Sequence, residues 1–401
     1  MNHTIQESIP TQQSIKAMHL KEIYLKALHH NGISRAQLKR EMHLSFPSIS
    51  ALVEELLAQG VLYETGIQES TRRGRPQAIL CVHPGALAIP VATMTADGYL
   101  CALYDCCANK KAEQFLPFRT DSCKCTDGNG QWYPDTATLL EPLKNWIASL
   151  SQYKLSDFVL CISGNFDEQG VMTSSAVKIT TPENFLSDLK EALGNDTVIV
   201  NNADCYAYAE KFYQTLPEDF IFIQVSEGVG AGIIRDGRIF QKDVIRAGEI
   251  GHMSIDYHGR SCVCGGRGCL ERYISTIEIT EEVRALLKAE ENIDFSRVCE
   301  AYHNADPRVV QLISHKAELL AVGISNMLAM QPVQHIILGG DITMLGERFL
   351  EEVQLVMKKR GLRRYLDRVT VTYSRNTGNE LPGALWNYLE HQLKIVSLIC
   401  K

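Results

Sequence analysis

No run of 18 apolar residues occurs in this 401-residue chain, which excludes a membrane-spanning helix of ordinary length. The opening segment MNHTIQESIPTQQ has no apolar stretch of the kind that directs secretion, so a cytoplasmic location is expected. Positive charge is scarce: the net charge is −7, which excludes a protein that coats nucleic acid over its whole surface. Thirteen cysteines are present, but the count is odd and no secretory signal accompanies them. Reduced thiols are therefore expected instead of a disulfide framework. With these classes set aside, the 45% apolar and 22% charged residues describe an ordinary globular chain, long enough for two or three cores.

Charge is distributed unevenly. Residues 1–80 carry nine Lys/Arg against seven Asp/Glu, which leaves −9 on the remainder, so any nucleic-acid contact is expected in the head. There, Leu20, Ile23, Tyr24, Ala27 and Leu28 fall on one helical face, with Gly32 as a stop. The stretch ISRAQLKREMHLSFPSISALVEELLAQG then predicts two short helices joined by a tight turn. Ser34 caps the first, which carries Ala36, Leu38 and Met42; Ser45 caps the second, and Pro47 sits in its first turn. Ile49, Leu52, Val53, Leu56 and Leu57 form its buried stripe, and Gly60 ends it.

Two strands follow, around a turn holding Arg72, Arg73 and Arg75. Helix, helix-turn-helix and basic hairpin make a winged helix-turn-helix, whose second paired helix enters the major groove while the wing reaches phosphate or minor groove. Ser45, Phe46, Pro47, Ser48, Ser50 and Ala51 occupy the start and outer face of that helix, where side chains approach bases or phosphates. A three-helix head with a hairpin also suits docking or dimerisation; the arginine-rich turn favours DNA.

From about Ala86 the texture changes to strands alternating with helices. ALAIPVATM, YLCALYDCCA, FVLCISG, TVIVNN, FIFIQV and HIILGG read as strands, and Thr95 to Gly98 as a hairpin turn. Such alternation predicts an α/β fold of two lobes with a cleft between them, divided as 81–200 and 201–401. Glycine clusters at Ser163-Gly164, Glu227–Gly232 and Leu338–Gly340 stand at strand ends, where a ligand or a neighbouring strand approaches the backbone.

The most specific passage is AGEIGHMSIDYHGRSCVCGGRGCLERYIS. His252, Cys262, Cys264 and Cys269 are spaced His-x9-Cys-x-Cys-x4-Cys, a set suited to tetrahedral Zn²⁺. Gly265, Gly266 and Gly268 let the loop bend tightly. Four protein ligands fill the shell, so the zinc is expected to be structural. Reactive or merely buried cysteines are the alternative; spacing, glycines and histidine together favour metal. Cys106-Cys107 and Cys123-x-Cys125 lack a histidine cluster and are expected to be structural thiols.

These motifs resemble the ROK family of repressors, open reading frames and sugar kinases, in its repressor branch of the xylose and N-acetylglucosamine type. The resemblance rests on G-E-x-G-H at Gly248–His252, on C-x-C-G-G-x-G-C-L-E at Cys262–Glu271 and on the ISRAQL…LSFPSIS…GRP pattern of the head. It implies a winged helix-turn-helix over 1–80 and an actin-like, hexokinase-type two-lobed fold, with the zinc loop at 252–269 and a C-terminal helix returning to the first lobe. It also implies a sugar effector contacted by Asn201, Asn202, Glu249, His252 and Glu271, operator DNA, and a homodimer or homotetramer on a roughly palindromic site.

Kinase chemistry is a separate matter, since it requires a carboxylate to take the hydroxyl proton and glycine loops to hold phosphates. Aligned on the family's N-D-A-N motif, the catalytic aspartate position holds Asn202, which cannot act as a base, and Asp204 lies two residues further into the helix start. The family's D-x-G-x-T loop aligns with Thr93–Asp97, without its first acid and its glycine, and its G-T-G loop with Ser226-Glu227-Gly228, where a carboxylate repels a triphosphate. The expectation is a sugar-responsive transcriptional regulator without catalytic residues; the rival is a sugar kinase carrying a DNA-binding head.

Overall fold

The computed structural model describes residues 11–68, 77–118, 126, 131–174, 176–194, 196–213, 216–240, 248–288, 292–359, 366–376 and 378–394. In the head, α1 (Gln12–His29) opens on Thr11, whose hydroxyl accepts from the Ser14 N–H at 3.2 Å, and buries Leu20, Ile23, Tyr24 and Ala27. A two-residue strand, β1 (Ile33–Ser34), leads into α2 (Arg35–Met42), capped by Ser34. Helix α3 (Phe46–Ala58) is capped by Ser45, whose Oγ accepts from the Ser48 N–H at 3.2 Å. Ile49, Leu52, Val53 and Leu56 form its buried stripe; Leu57 is only half-buried, because it lies at the stripe's edge.

β2 (Leu62–Gln68) and β3 (Gln77–Val82) form the wing, and β1 adds to β3 as a third strand. A two-residue strand has no periodicity to read, which is why sequence patterning showed only two. The turn with Arg72, Arg73 and Arg75 lies outside the described residues.

The first lobe is built on β4 (Ala88–Met94), β5 (Gly98–Asp105), β6 (Lys110–Pro117), β7 (Val159–Ile162) and, later in the chain, β11 (Val198–Asn201). Strand order is β11-β7-β4-β5-β6, with β4 to β6 antiparallel and β7 and β11 parallel to β4. Every residue of β4 is buried, as expected of a strand covered on both faces. Helices α4 (Thr136–Ser149) and α5 (Phe185–Leu193) pack on one face, beside a small sheet of β8 (Asn165–Phe166), β9 (Met172–Ser174) and β10 (Ile179–Thr180).

After α6 (Asn202–Tyr213), the second lobe repeats this plan. β12 (Phe220–Val225), β13 (Val229–Arg235) and β14 (Arg238–Ile239) are antiparallel, and β15 (His335–Gly339) and β16 (Thr370–Tyr373) run parallel to β12, in the order β14-β13-β12-β15-β16. Helices α7 (Glu271–Ile274), α8 (Thr276–Leu287), α9 (Phe295–His303), α10 (Pro307–Met330) and α11 (Glu347–Lys359) enclose its core around Leu270, Ile313, Leu320 and Phe349. The lobes are thus two copies of one five-stranded pattern, with the cleft at the carboxyl ends of their parallel strands.

The last helix, α12 (Leu381–Asn387), continues into a wider turn at Tyr388–Gln392 and buries Leu381, Ala384, Leu385 and Leu389 in the core that the head shares with the first lobe. It crosses α6 at close range: a Cβ on Gly383 would overlap the Cys205 carbonyl oxygen, so only glycine fits there. The head is not a tethered bead. Its strand β3 runs to Val82, within the stretch expected to form the wing, and its Tyr24 hydroxyl, fully buried, donates to the Cys106 carbonyl of the first lobe at 2.8 Å. Among the described residues, no helix is long and apolar enough to cross a membrane.

Candidate functional site

A cavity of about 500 Å³ lies between the lobes. The β4–β5 hairpin, in which the Thr95 N–H donates to the Gly98 carbonyl at 2.8 Å, supplies Thr95 and Ala96. The end of β11 and the start of α6 supply Asn201, Asn202 and Tyr206; the β12–β13 turn supplies Ser226, Glu227 and Gly228; the segment from Gly248 to Glu271 supplies Glu249, His252 and Glu271. The five residues expected to meet a sugar, Asn201 and Asn202 from one stretch and Glu249, His252 and Glu271 from another, therefore line one cavity.

Asn201, Asn202 and Glu271 are held by hydrogen bonds within the protein. Asn201 is buried, donates to the Ile162 carbonyl at 3.3 Å and accepts from the Ala203 N–H at 2.8 Å. Asn202 accepts from the same N–H at 2.8 Å and faces the cavity from the first position of α6. Glu271 is buried, and its Oε2 accepts from the Val229 N–H at 2.9 Å, joining the end of the zinc-type loop to the glycine-rich strand β13. Asp204 is buried in the first turn of α6 and does not line the cavity. The helix begins at Asn202, which turns Asp204 away from the cleft.

Sequence reasoning missed Glu380 and Tyr206. Glu380 precedes α12, accepts from the Thr93 hydroxyl at 2.6 Å and from the Tyr206 hydroxyl at 3.0 Å, and so ties both lobes across the cleft. Nothing local marks Glu380. Tyr206 was legible, because it lies one helical turn after Asn202 on the same face. At Glu227, burial pushes the carboxyl up and the neighbouring Asp341 adds to this, while Lys178 opposes it.

Beside the cleft, the ligand atoms of His252, Cys262, Cys264 and Cys269 all lie within 4.8 Å of one another. The Cys264 and Cys269 sulfurs are 3.6 Å apart, and the Cys262 sulfur is 3.7 Å from His252 Nδ1. Edges of a tetrahedron with metal–sulfur bonds of about 2.3 Å are ~3.8 Å long, so these two donor pairs already have the spacing such an ion requires. Gly268 makes the loop close: its φ is +69°, and a Cβ there would overlap the Asp256 carbonyl. Arg260 fastens the loop outward, 2.8 Å from Glu282, which also holds the buried Lys316 at 2.7 Å. The motif thus brings together four side chains that could hold a metal ion. Of the other cysteines, Cys106 is buried and its thiol is pushed up to about 12 by that burial, whereas Cys123 and Cys125 lie outside the described residues.

In the head, Ser45, Phe46, Pro47 and Ser48 are exposed and Ser50 half-buried, so the N-terminal end of α3 faces outward. The Ser45 hydroxyl is engaged as the cap and lies 2.7 Å from Ser48 Oγ.

With head, cleft and cysteine cluster in place, comparison with known proteins decides the affiliation. The ROK family model matches residues 134–386. The chain belongs to the ROK family. It is 23% identical over 338 residues to the xylose repressor of Bacillus subtilis, covering 83% of this chain and 85% of the relative. It is 25% identical over 398 residues to the DNA-binding transcriptional dual regulator NagC of Escherichia coli, covering 94% of each. Among solved structures, a ROK family transcriptional regulator homologous to the E. coli MLC protein superposes with a TM-score of 0.79 at 22% identity, over 96% of this chain and 99% of that one. The ROK hexokinase of Thermus thermophilus superposes at 0.59 and 20% identity, over 76% and 99%. At these identities the structures establish a shared fold: a winged helix-turn-helix head followed by the two-lobed, actin-like α/β body.

Proposed function

We propose that this ROK protein is a sugar-responsive DNA-binding transcriptional regulator, a repressor of carbohydrate genes, that senses its sugar without phosphorylating it. One observation carries the proposal: a helix-turn-helix with an outward-facing α3 is built into the core of a body whose cleft presents amide and carboxylate groups. Its similarity to a xylose repressor and an N-acetylglucosamine repressor, over 85% and 94% of their lengths, supports this reading.

In the cleft, Asn201, Asn202, Glu249, His252 and Glu271 would bind sugar hydroxyls, with the carboxylates accepting charge-assisted hydrogen bonds. Asn202 presents an amide where a kinase needs a base, and Glu227 places a carboxyl in the turn where phosphates would sit. His252, Cys262, Cys264 and Cys269 would hold a structural Zn²⁺, which favours three thiolates and an imidazole. That ion would fix the loop between Glu249 and Glu271. In the head, Ser45, Pro47, Ser48 and Ser50 would approach the major groove, and Arg72, Arg73 and Arg75 the flanking backbone or minor groove. Binding as a homodimer or homotetramer would match a roughly palindromic operator.

The test is a gel-shift titration of the purified chain against DNA from upstream of its own gene, together with an ATP-turnover assay over a panel of sugars. Specific retardation without turnover is the expected result. Turnover with any hexose, or failure to retard that DNA under every condition, would overturn the proposal.

A further inference from the structure

α6 runs from the cleft to the underside of the head. Its first residue, Asn202, lines the cavity between the lobes. Less than two turns later, the Tyr208 hydroxyl donates to Glu390 Oε2 at 3.0 Å, and the Lys211 ammonium lies 3.2 Å from the same oxygen. The other oxygen of Glu390, Oε1, is 3.4 Å from Nε2 of His29, in the last turn of α1 in the head. The His29 ring also stacks on Trp386 of α12, at 5.3 Å between centroids and 21° between planes.

Glu390 is thus a single, mostly buried carboxylate at which three elements meet: the head's first helix, the helix that starts in the cleft, and the C-terminal segment. Burial raises its proton affinity, but His29, Lys211 and Tyr208 together outweigh that and hold the carboxyl below its usual range. Lys21 of α1 and Arg238 of β14 lie within Coulombic reach of the same cluster.

The joint is not packed solid. A cavity of about 370 Å³ opens beside it, bounded by Leu25 of α1, by Lys211 and Gly237, and by Glu390 itself. Close-packed interfaces resist small displacements, whereas a charged contact next to open volume has somewhere to move. On its other side the head is fixed to the first lobe by the Tyr24–Cys106 hydrogen bond and the shared core. A shift of α6 relative to the first lobe would therefore pull on α1 at His29 while Tyr24 stays anchored, and so tilt the head.

We propose that Glu390 is the positioning residue that couples the cleft to the DNA-binding head, by joining Tyr208 and Lys211 of α6 to His29 of α1. The proposal rests on the regulator reading above. It identifies the two-state element that any coupling between the sites requires, with a contact that both the head and the effector helix share.

The experiment compares the full-length chain with Glu390→Gln and His29→Gln, both close in shape to the native side chain. D-xylose, D-glucose, N-acetylglucosamine and N-acetylmannosamine serve as probes. Three quantities are measured: sugar affinity by calorimetry, affinity for the upstream DNA with and without saturating sugar, and amide hydrogen exchange across residues 12–29 with and without sugar. The expected result is that each variant binds sugar and DNA within about threefold of the native chain. The sugar-induced change in DNA affinity then falls below about twofold, and the sugar-induced change in α1 exchange disappears. Variants that keep the full native response overturn the proposal. A native chain that never binds DNA sinks the regulator reading by itself. The exchange measurement then still decides the coupling: an α1 response to sugar lost in both variants supports it, and an unaltered or absent α1 response overturns it. If Glu390→Gln unfolds, His29→Gln, altered at a more exposed position, decides alone.

Discussion

Glu271 accepts the Val229 N–H while its side chain borders the cleft, so it joins the end of the metal loop to the glycine-rich turn through one bond. Replacing it by alanine leaves that buried N–H without its charged acceptor, a loss of about 1.5–3 kcal/mol for a hydrogen bond to a charged group. Calorimetry is expected to show sugar affinity reduced by at least tenfold, with a lowered melting temperature of the free protein; unchanged affinity would remove Glu271 from the effector site. Asn202→Asp restores a carboxylate at the start of α6, yet Glu227 still occupies the phosphate turn and the first loop still lacks its acid and its glycine. A coupled ATPase assay on that variant is expected to show no sugar-dependent turnover. The cluster most legible in the sequence is one whose neighbours in space are neighbours in the chain: His252 and the three cysteines span 18 residues. Glu380 escaped notice because its partner Thr93 lies 287 positions away, and no local pattern records such a meeting.

At the scale of elements, caps, loops and short helices decide which surfaces stay in place. Ser45→Ala removes the side-chain cap of α3, worth about 1 kcal/mol, and is expected to lower the urea midpoint of the chain and weaken operator binding together. In the same head, Gln37 and Lys26 hold the Glu41 carboxyl down to about 2, with His30 adding to this, and so join α2 to α1. A carboxyl depressed in the folded state contributes stability above its unfolded value of roughly 4.3. That contribution is lost as pH falls from there toward 2. Circular dichroism on acid titration is expected to show the Glu41→Gln chain losing less helix over this range than the native chain. Removing metal with a chelator is expected to release the loop between Glu249 and Glu271. It would lower the melting temperature and weaken sugar binding in parallel, and metal analysis should find one zinc per chain; freshly purified protein without zinc would contradict this. The helices of the head were legible from their 3.6-residue stripes and serine caps, whereas β1, at two residues, offered no period to detect.

On the scale of the whole molecule, the arrangement is a repeated five-stranded lobe closing on a cleft, with the head packed into the first lobe's core. Alternating strands and helices in the sequence implied two lobes. They did not imply that the head, the first lobe and α12 share one hydrophobic cluster, since Tyr24, Leu87 and Leu389 come from opposite ends of the chain. That shared core would give the proposed communication between cleft and DNA a direct mechanical route. Coupling of this kind is worth roughly 5–150-fold in affinity. The most direct measurement of the central claim is fluorescence anisotropy of labelled upstream DNA titrated with the native chain, in the absence and presence of each sugar. Specific binding is expected, with a dissociation constant that changes at least fivefold with one sugar and not with the others. Binding that no sugar alters, or no specific binding at all, would contradict it.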